Sequence, residues 1–406
     1  MGATGRTMLS VDDARQRLVA AVSPTGGQWI SLDDAAGGVL AAPVVARRTQ
    51  PPTALSAMDG YAVRAADAIA GRTLAVVGEA AAGAAGPEKV PAGATVRIFT
   101  GAALPDGADA ILIQEHAEQL DDRRIRVTET VNPAAHVRVA GLDFDTGTEV
   151  LAAGTRLGPA HIALAAAAGH PWLCVHRPPR VALLTTGNEL VRPGEPLGPH
   201  QIIDAVTPGL SALIRRAGAT VHAVGIAADR RDDLARHLPA LETADLAVTV
   251  GGASVGDHDL VRSVLGGQDF ALDFWKIAMR PGKPLLAGRL GRTPLLGLPG
   301  NPVSALVCGH VFLGPMLDRL CGGPGAAPMP RPVAAGVDLP AGGTREDYQR
   351  ATLSRDKNGI ETVTPNPVQD SAMLTGLAEA DGLLIRPPHA APVSRGTPVP
   401  VLTLIP

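Results

Sequence analysis

A chain of 406 residues has room for two to four domains, and 46% apolar with 18% charged residues is a globular balance, which excludes a disordered chain. A net charge of −3 gives no reason to expect a general nucleic-acid or membrane binder, although it leaves room for a local anion site. Aromatics are only 2%, so the core must be built from Ala, Val, Leu and Ile. No apolar run reaches 18 residues and the N-terminus has no apolar signal core, so neither a transmembrane span nor a leader is expected. Cys174, Cys308 and Cys321 show neither CxxC nor zinc-finger spacing, a pattern that fits free thiols in a reducing cytoplasm.

In chain order, Ser10 caps a helix over VDDARQRLVAAV with Asp13 three residues on, and Ser31 with Asp34 repeats the arrangement before a second short helix. From about residue 50 to 150 short β runs (TVRIFTG, DAILIQ, RIRVTE) are separated by Gly-rich turns. HIALAAAAGH is helical by its Ala content and ends near Gly169. RRTQPPTA, HRPPR and CGGPGAAPMPRPV read as linkers or domain borders. Between about 180 and 320 strand and helix alternate: VALLTT, a helix capped at Thr207-Pro208, TVHAVGI, a helix capped by Asp229, LAVTV, LLGLPG, and a helix opened by Asn301-Pro302. Such alternation gives a mostly parallel, doubly wound sheet with helices on both faces. After residue 330, QRATL, ETVTP, GLLIRP and VPVLTLI indicate a small all-β domain.

Ligands of an open α/β sheet bind beyond the carboxyl ends of its strands. Four features fall at such ends: TTGNEL, Asp229, GGASVGDHD and GLPGNPVS. Each taken singly is a tight turn or a helix cap; four on one edge are harder to dismiss. Bare glycine amides and a helix N-terminus suit phosphate. Glu189, Asp229, Asp257 and Asp259 offer hard oxygen ligands, and carboxylates beside a phosphate repel it unless a divalent cation intervenes, which points to Mg2+. There is no Walker A pattern and no GxGxxG, which disfavours an ordinary P-loop enzyme or a dinucleotide dehydrogenase. WKIAMRPGKPL places Lys276, Arg280 and Lys283, two of the four lysines among them, in one short stretch, either a solvated basic loop or the cations of an oxyanion pocket. In the 50–150 region, SAMDGYAV, RIFTG and RVAGLDFDTG offer Asp59, Thr100, Arg138, Asp143 and Asp145, each by itself explicable as turn chemistry. The residues alone reach a phosphorylated ligand, Mg2+ and an oxyanion, and do not name the ligand.

Taken together and in order, SAMDGYAV, GEAAAGA, RIFTGAALPDGADAILIQE, TTGNEL, GGASVGDHD, FWKIAMRPGKPL, GLPGNPVSAL and SAMLTGLAEADGLL resemble the MoeA family of molybdopterin molybdenumtransferases, which includes the carboxy-terminal part of gephyrin and the E domain of the plant molybdenum-insertion protein. The resemblance covers nearly the whole chain. It implies insertion of molybdate into adenylylated molybdopterin with Mg2+-dependent release of AMP. Among its site residues, Asp59, Thr100, Asp143, Glu189, Asp229 and Asp259 are the catalytic candidates, with Glu189, Asp229 and Asp259 also holding the metal. Arg138, Ser254, Lys276, Arg280, Lys283, Asn301, Ser304, Arg350 and Ser371 are the substrate-binding candidates, with Ser304, Arg350 and Ser371 near molybdate. Arg280 stands where the family often has Lys, and Asn188 where relatives carry Asp.

The fold class implied is α/β multidomain. A central doubly wound mixed or parallel α/β domain III (1–27 and 177–325) is joined by a small α+β connecting domain I (28–47 and 145–176), a β-rich domain II (48–144) and a C-terminal β-barrel-like domain IV (326–406). The resemblance further implies a cytoplasmic homodimer whose cleft faces domain II of a second protomer, a separate adenylyltransferase that supplies the pterin, and acceptor molybdoenzymes. A non-catalytic gephyrin-like scaffold and a tungstate-loading enzyme are the alternatives.

Overall fold

The computed structural model describes residues 8–252 and 270–404. The chain forms two compact units, one built from Met1–Gln28, Gly37–Ala41 and Cys174–Pro406, the other from Trp29–Ala36 and Ala42–Leu173.

The larger unit is organised by a six-stranded sheet in the order Thr220–Ala227, Arg180–Thr186, Leu246–Val250, Thr293–Leu298, Pro284–Leu290, Phe270–Lys276. The first four strands are parallel and the last two antiparallel. Leu246–Val250 and Thr293–Leu298 are buried along their whole length, which is why they are written as largely apolar runs, broken only by small residues such as Thr249 and Thr293, rather than alternating ones. On one face Val181, Leu183, Val248, Val250, Leu296 and Leu298 pack with helices Val11–Ala20, Val206–Arg216 and Pro302–Leu320. On the other, Ala182, Leu184, Ala247, Leu286 and Leu295 pack with Leu234, Leu238 and Leu241 of helix Arg231–Glu242. The sheet is therefore doubly wound, as the alternating pattern requires.

Local signals were legible to different degrees. Ser10 caps Val11–Ala20 by accepting from the Asp13 N–H at 3.1 Å. Ser31 and Asp34 make the same side-chain contact, but the chain there forms a turn instead of the expected second helix. The helix expected from Thr207-Pro208 begins at Val206, because the buried Asp204 carboxylate accepts from the N–H groups of Val206 and Thr207. Asp229 does not cap Arg231–Glu242: Asp233 turns back to accept from the Ala228 N–H, and the Asp229 carboxylate points to Asn188 instead. Helix Pro302–Leu320, whose middle turn Gly309–Leu313 is π-helical, is long and apolar enough to cross a membrane by length and composition alone. It is 72% buried inside this protein and serves as the central core helix.

Five strands, Arg331–Ala335, Glu346–Arg355, Glu361–Pro365, Gly382–Arg386 and Pro398–Thr403, form a closed barrel. Closure comes from Glu346–Arg355, which pairs with both Glu361–Pro365 and Gly382–Arg386 and so leaves no free edge in the ring. In the smaller unit, Ala110–Ile113, Gly60–Val63, Ala94–Ile98, Thr73–Ala80, Arg124–Val127 and Ala117–Asp121 form a half-barrel sheet in that order. Gly60 is obligatory there, since a Cβ would collide with the Leu112 carbonyl oxygen across the strand pair. The architecture is thus the mixed α/β multidomain one expected, with a half-barrel and a closed barrel as its β parts.

Candidate functional site

The register of the central sheet sets the site. Ala227 lies beside Thr186, Thr185 beside Val250, Val250 beside Leu298, Gly297 beside Leu286, and Pro284 beside Lys276. These pairings form one continuous row. The carboxyl ends of the four parallel strands and the open tip of the antiparallel pair therefore share one edge. The described residues that immediately follow these positions are delivered there: Gly187–Glu189, Asp229, Gly251 and Gly252, Asn301–Ser304, and the Lys276–Lys283 tip.

Gly187 leaves space for the Glu189 carboxylate, because a Cβ on Gly187 would lie 2.7 Å from Glu189 Oε2. Asn188 and Asp229 clasp one another across neighbouring strand ends: the Asn188 N–H donates to Asp229 Oδ2 at 3.3 Å, and the Asp229 N–H donates to Asn188 Oδ1 at 3.0 Å. An Asp at 188 would set two carboxylates in this clasp, so Asn188 leaves one negative charge and a fixed geometry. Among the described residues no cation pairs with Glu189 or Asp229.

The basic tip is a built loop. The Ile277 N–H donates to the Lys283 carbonyl at 3.3 Å, closing the loop across its base. Gly282, at φ +108°, sits on Cys308 Sγ where a Cβ would collide. Burial pushes the Cys308 thiol up to about 12, so it acts as an inert floor for this loop. Lys276 Nζ lies 4.4 Å from the centre of the Trp275 ring, while Arg280 and Lys283 are exposed. At the next strand end Asn301 precedes Pro302 at the first helical position, and Ser304 is buried in the first turn.

Ser371 reaches this helix start from the barrel. Its hydroxyl accepts from Asn301 Nδ2 at 3.0 Å, and its carbonyl accepts from the Val303 N–H at 3.1 Å. Arg350, 2% exposed, is engaged in holding the loop that carries Ser371. Its guanidinium donates to the carbonyls of Val368 and Met373 and to the Gln369 side chain.

In the smaller unit Asp59 and Thr100 come together. The Thr100 N–H and hydroxyl both donate to Asp59 Oδ1 at 2.8 Å. These two bonds, with Arg97 nearby, hold the Asp59 carboxyl below its ordinary value. Arg138 and Asp143 are exposed in neighbouring segments: Val137 pairs with Ser56, and the Asp143 N–H donates to the Gln50 carbonyl. Ser254, Asp257 and Asp259 lie outside the described residues. Sequence reasoning passed over Arg97, Gln114 and Asp204. The only advance signal for Arg97 is that MDGYAV and RIFTG each place an aromatic beside a candidate residue.

Three family profiles match the chain in order: MoeA N-terminal region (domain I and II) over residues 9–169, probable molybdopterin binding domain over 182–319, and MoeA C-terminal region (domain IV) over 332–404. The chain belongs to the MoeA family. It is 33% identical over 97% of its length to the molybdopterin molybdenumtransferase of Haemophilus influenzae, of which it covers 98%. To molybdopterin molybdenumtransferase 2 of Mycobacterium tuberculosis it is 37% identical, with 92% and 94% of the two chains aligned. A crystal structure of the molybdopterin biosynthesis MoeA protein from Pyrococcus horikoshii superposes with TM-score 0.82 at 27% identity, covering 98% of this chain and 99% of that one. The chain is accordingly a transferase of molybdenum cofactor biosynthesis. In this MoeA-family chain the carboxyl edge described above falls within the segment matched as the probable molybdopterin binding domain, apart from Ser371 and Arg350, which the C-terminal region contributes.

Proposed function

We propose that the chain inserts molybdate into adenylylated molybdopterin with Mg2+-dependent release of AMP, giving molybdenum cofactor. The observation that supports this most is the row of register that gathers Glu189, Asp229, Lys276, Lys283, Asn301 and Ser304 on one sheet edge. Molybdate is a tetrahedral dianion and its co-substrate carries phosphates, so the two reactants repel each other. Lys276, Lys283 and Arg280 offset that repulsion, and the clasped Asn188–Asp229 pair fixes one carboxylate without a second charge beside it.

Glu189 and Asp229 are the described carboxylates that would hold Mg2+. Among the described residues no group of three His, Cys, Asp or Glu gathers. Two carboxylates fit Mg2+ nevertheless, because this ion is commonly held through one or two carboxylates together with substrate phosphate oxygens and water. Bound there it would neutralise phosphate charge and act as a Lewis acid toward AMP departure. Asp59, oriented by Thr100, is the candidate acid–base or orienting group of the smaller unit, with Arg138 and Asp143 beside it in role; Ser371 and the Arg350-held loop complete the molybdate side, and Asp259 and Ser254 keep the roles that the family resemblance gives them.

The four-domain division, a homodimer with each copy's Asp59–Thr100 patch serving its partner's sheet edge, transient contact with a separate adenylyltransferase and acceptor molybdoenzymes, and a cytoplasmic location for three free cysteines belong to the same reading. The test is direct. The purified chain, given adenylylated molybdopterin, molybdate and Mg2+, is expected to release AMP in step with cofactor formation. A folded chain that binds the pterin and releases no AMP is a scaffold. Competition between molybdate and tungstate decides which oxyanion is loaded.

A further inference from the structure

We infer that Arg97 is a positioning residue for the Asp59–Thr100 pair, acting as a planar clip that fixes the main chain on both sides of that pair. The inference rests on the proposed role of Asp59 and Thr100 in the reaction, and goes beyond it by assigning a residue that touches neither reactant.

Asp59 ends a turn at the start of strand Gly60–Val63, and Thr100 follows strand Ala94–Ile98. These strands are antiparallel neighbours in which Tyr61 lies opposite Arg97 and Gly60 opposite Ile98. Arg97 therefore starts three residues before Thr100 and opposite the residue two after Asp59. Its guanidinium carbon lies 5.0 Å from the Tyr61 ring centre and 5.1 Å from the Phe99 ring centre. Tyr61 is two positions after Asp59, and Phe99 is the residue before Thr100. The same group donates to the Gly60 carbonyl at 3.3 Å and to Gln114 Oε1 at 2.9 Å. Gln114 closes the circuit, because its own N–H donates to the Asp59 carbonyl at 3.1 Å. One side chain thus contacts the residues next to Asp59, the residue next to Thr100, and the side chain whose backbone holds Asp59.

Only a planar, forked cation fits these demands at once. A guanidinium stacks flat on aromatic rings and offers several divergent N–H donors, whereas an ammonium is a compact point charge. Bonds of 2.8 Å from Thr100 to Asp59 depend on the relative placement of two turns, and a shift of about an ångström would break them. The other charged groups around this patch are Glu79, opposite Arg97 on strand Thr73–Ala80, Glu115 next to Gln114, and Asp121 and Asp122 along the same groove, with Arg124 paired to Asp121. Apart from Arg124, which Asp121 engages, these groups are acidic, and the charge that bears on the Asp59 carboxylate is that of Arg97.

The experiment uses the full chain with Arg97→Lys, which keeps the charge and loses the fork and plane, and Gln114→Leu, which keeps Arg97 and removes its acceptor. Carboxyl 13C NMR follows the Asp59 titration, amide NMR follows Thr100, and AMP release gives turnover with Asp59→Asn as reference. In both variants turnover is expected to fall at least tenfold with little change in KM. The Asp59 midpoint should rise toward its ordinary value and the Thr100 amide should lose its hydrogen-bonded shift. A purely structural role would lower melting temperature and leave the Asp59 midpoint of the folded fraction in place. If Asp59→Asn is inactive while both variants keep the wild-type midpoint and turnover, the clip is wrong. If Asp59→Asn is itself fully active, the catalytic reading fails first, and the NMR arm still reports whether Arg97 sets the geometry.

Discussion

At the scale of the residue, the site is an exercise in placing unlike charges without letting them cancel. Lys283 stands exposed at the loop tip, fixed through its carbonyl rather than its ammonium, so the charge stays available to a ligand. Lys283→Ala is expected to weaken molybdate dependence by about 1.5–3 kcal/mol, the loss of one charge-assisted contact, or roughly 10- to 150-fold. Titrating molybdate and pterin separately checks this, since equal losses for both would remove Lys283 from the molybdate side. Asp229→Asn preserves an acceptor for the Asn188 N–H, so the fold should hold while the Mg2+ requirement rises by about tenfold or more. A Mg2+ titration that superposes on wild type removes Asp229 from the metal. Much of this was readable from sequence: the lysine pair, the carboxylates and Asn301 were singled out by type and spacing alone. What was not readable is which side chain Asp229 serves. As an Asp before a helix it is indistinguishable from a cap, and only the competing Asp233, which takes the Ala228 N–H, frees it.

At the scale of the element, the two edges of the central sheet do different work. The carboxyl edge gathers the candidate site residues, and the opposite edge is tied by an ion pair. Arg177 grips Asp245 with two bonds of 2.8 and 2.7 Å, and the Arg180 N–H adds a third at 2.7 Å. Burial pushes the Asp245 carboxyl up, but the Arg177 fork and the Arg180 N–H outweigh it and hold the net value below the ordinary one. A folded value depressed in this way contributes stability above the unfolded carboxylate range, and that contribution is lost as pH falls through the depressed value. Urea midpoints of wild type should therefore drop as pH falls below about 5 and on through the depressed folded value, while Asp245→Asn is less stable at neutral pH by about 1–3 kcal/mol and falls less steeply with acid. AMP release at neutral pH should be unchanged, because the pair sits at the strand starts. A variant with the wild-type acid slope removes the pair from this account. Elements were legible where a single physical signal decides them, as in the largely apolar buried strands and the Ser10 cap. They were misread where two elements share a signal: Ser31 with Asp34 writes the same pattern for a turn as for a helix.

At the scale of the whole molecule, the barrel and the α/β domain meet where chemistry is expected, through Ser371 on Asn301 and Val303. Sequence pattern alone could identify both domains but not this junction, because the loop that carries Ser371 is held by Arg350, a charged residue buried where composition would have left it outside. Light scattering on the purified chain is expected to give the mass of two copies in the active fraction; a fully active monomer would remove the dimer from the proposed function. The measurement that bears most directly on the central claim is a crystal structure of the chain with molybdate and AMP bound. Both anions are expected along the carboxyl edge, within reach of Lys276, Lys283, Asn301 and Ser304, with a divalent cation between phosphate and Glu189 or Asp229. Anions bound on another face, with that edge left to solvent, would contradict the account.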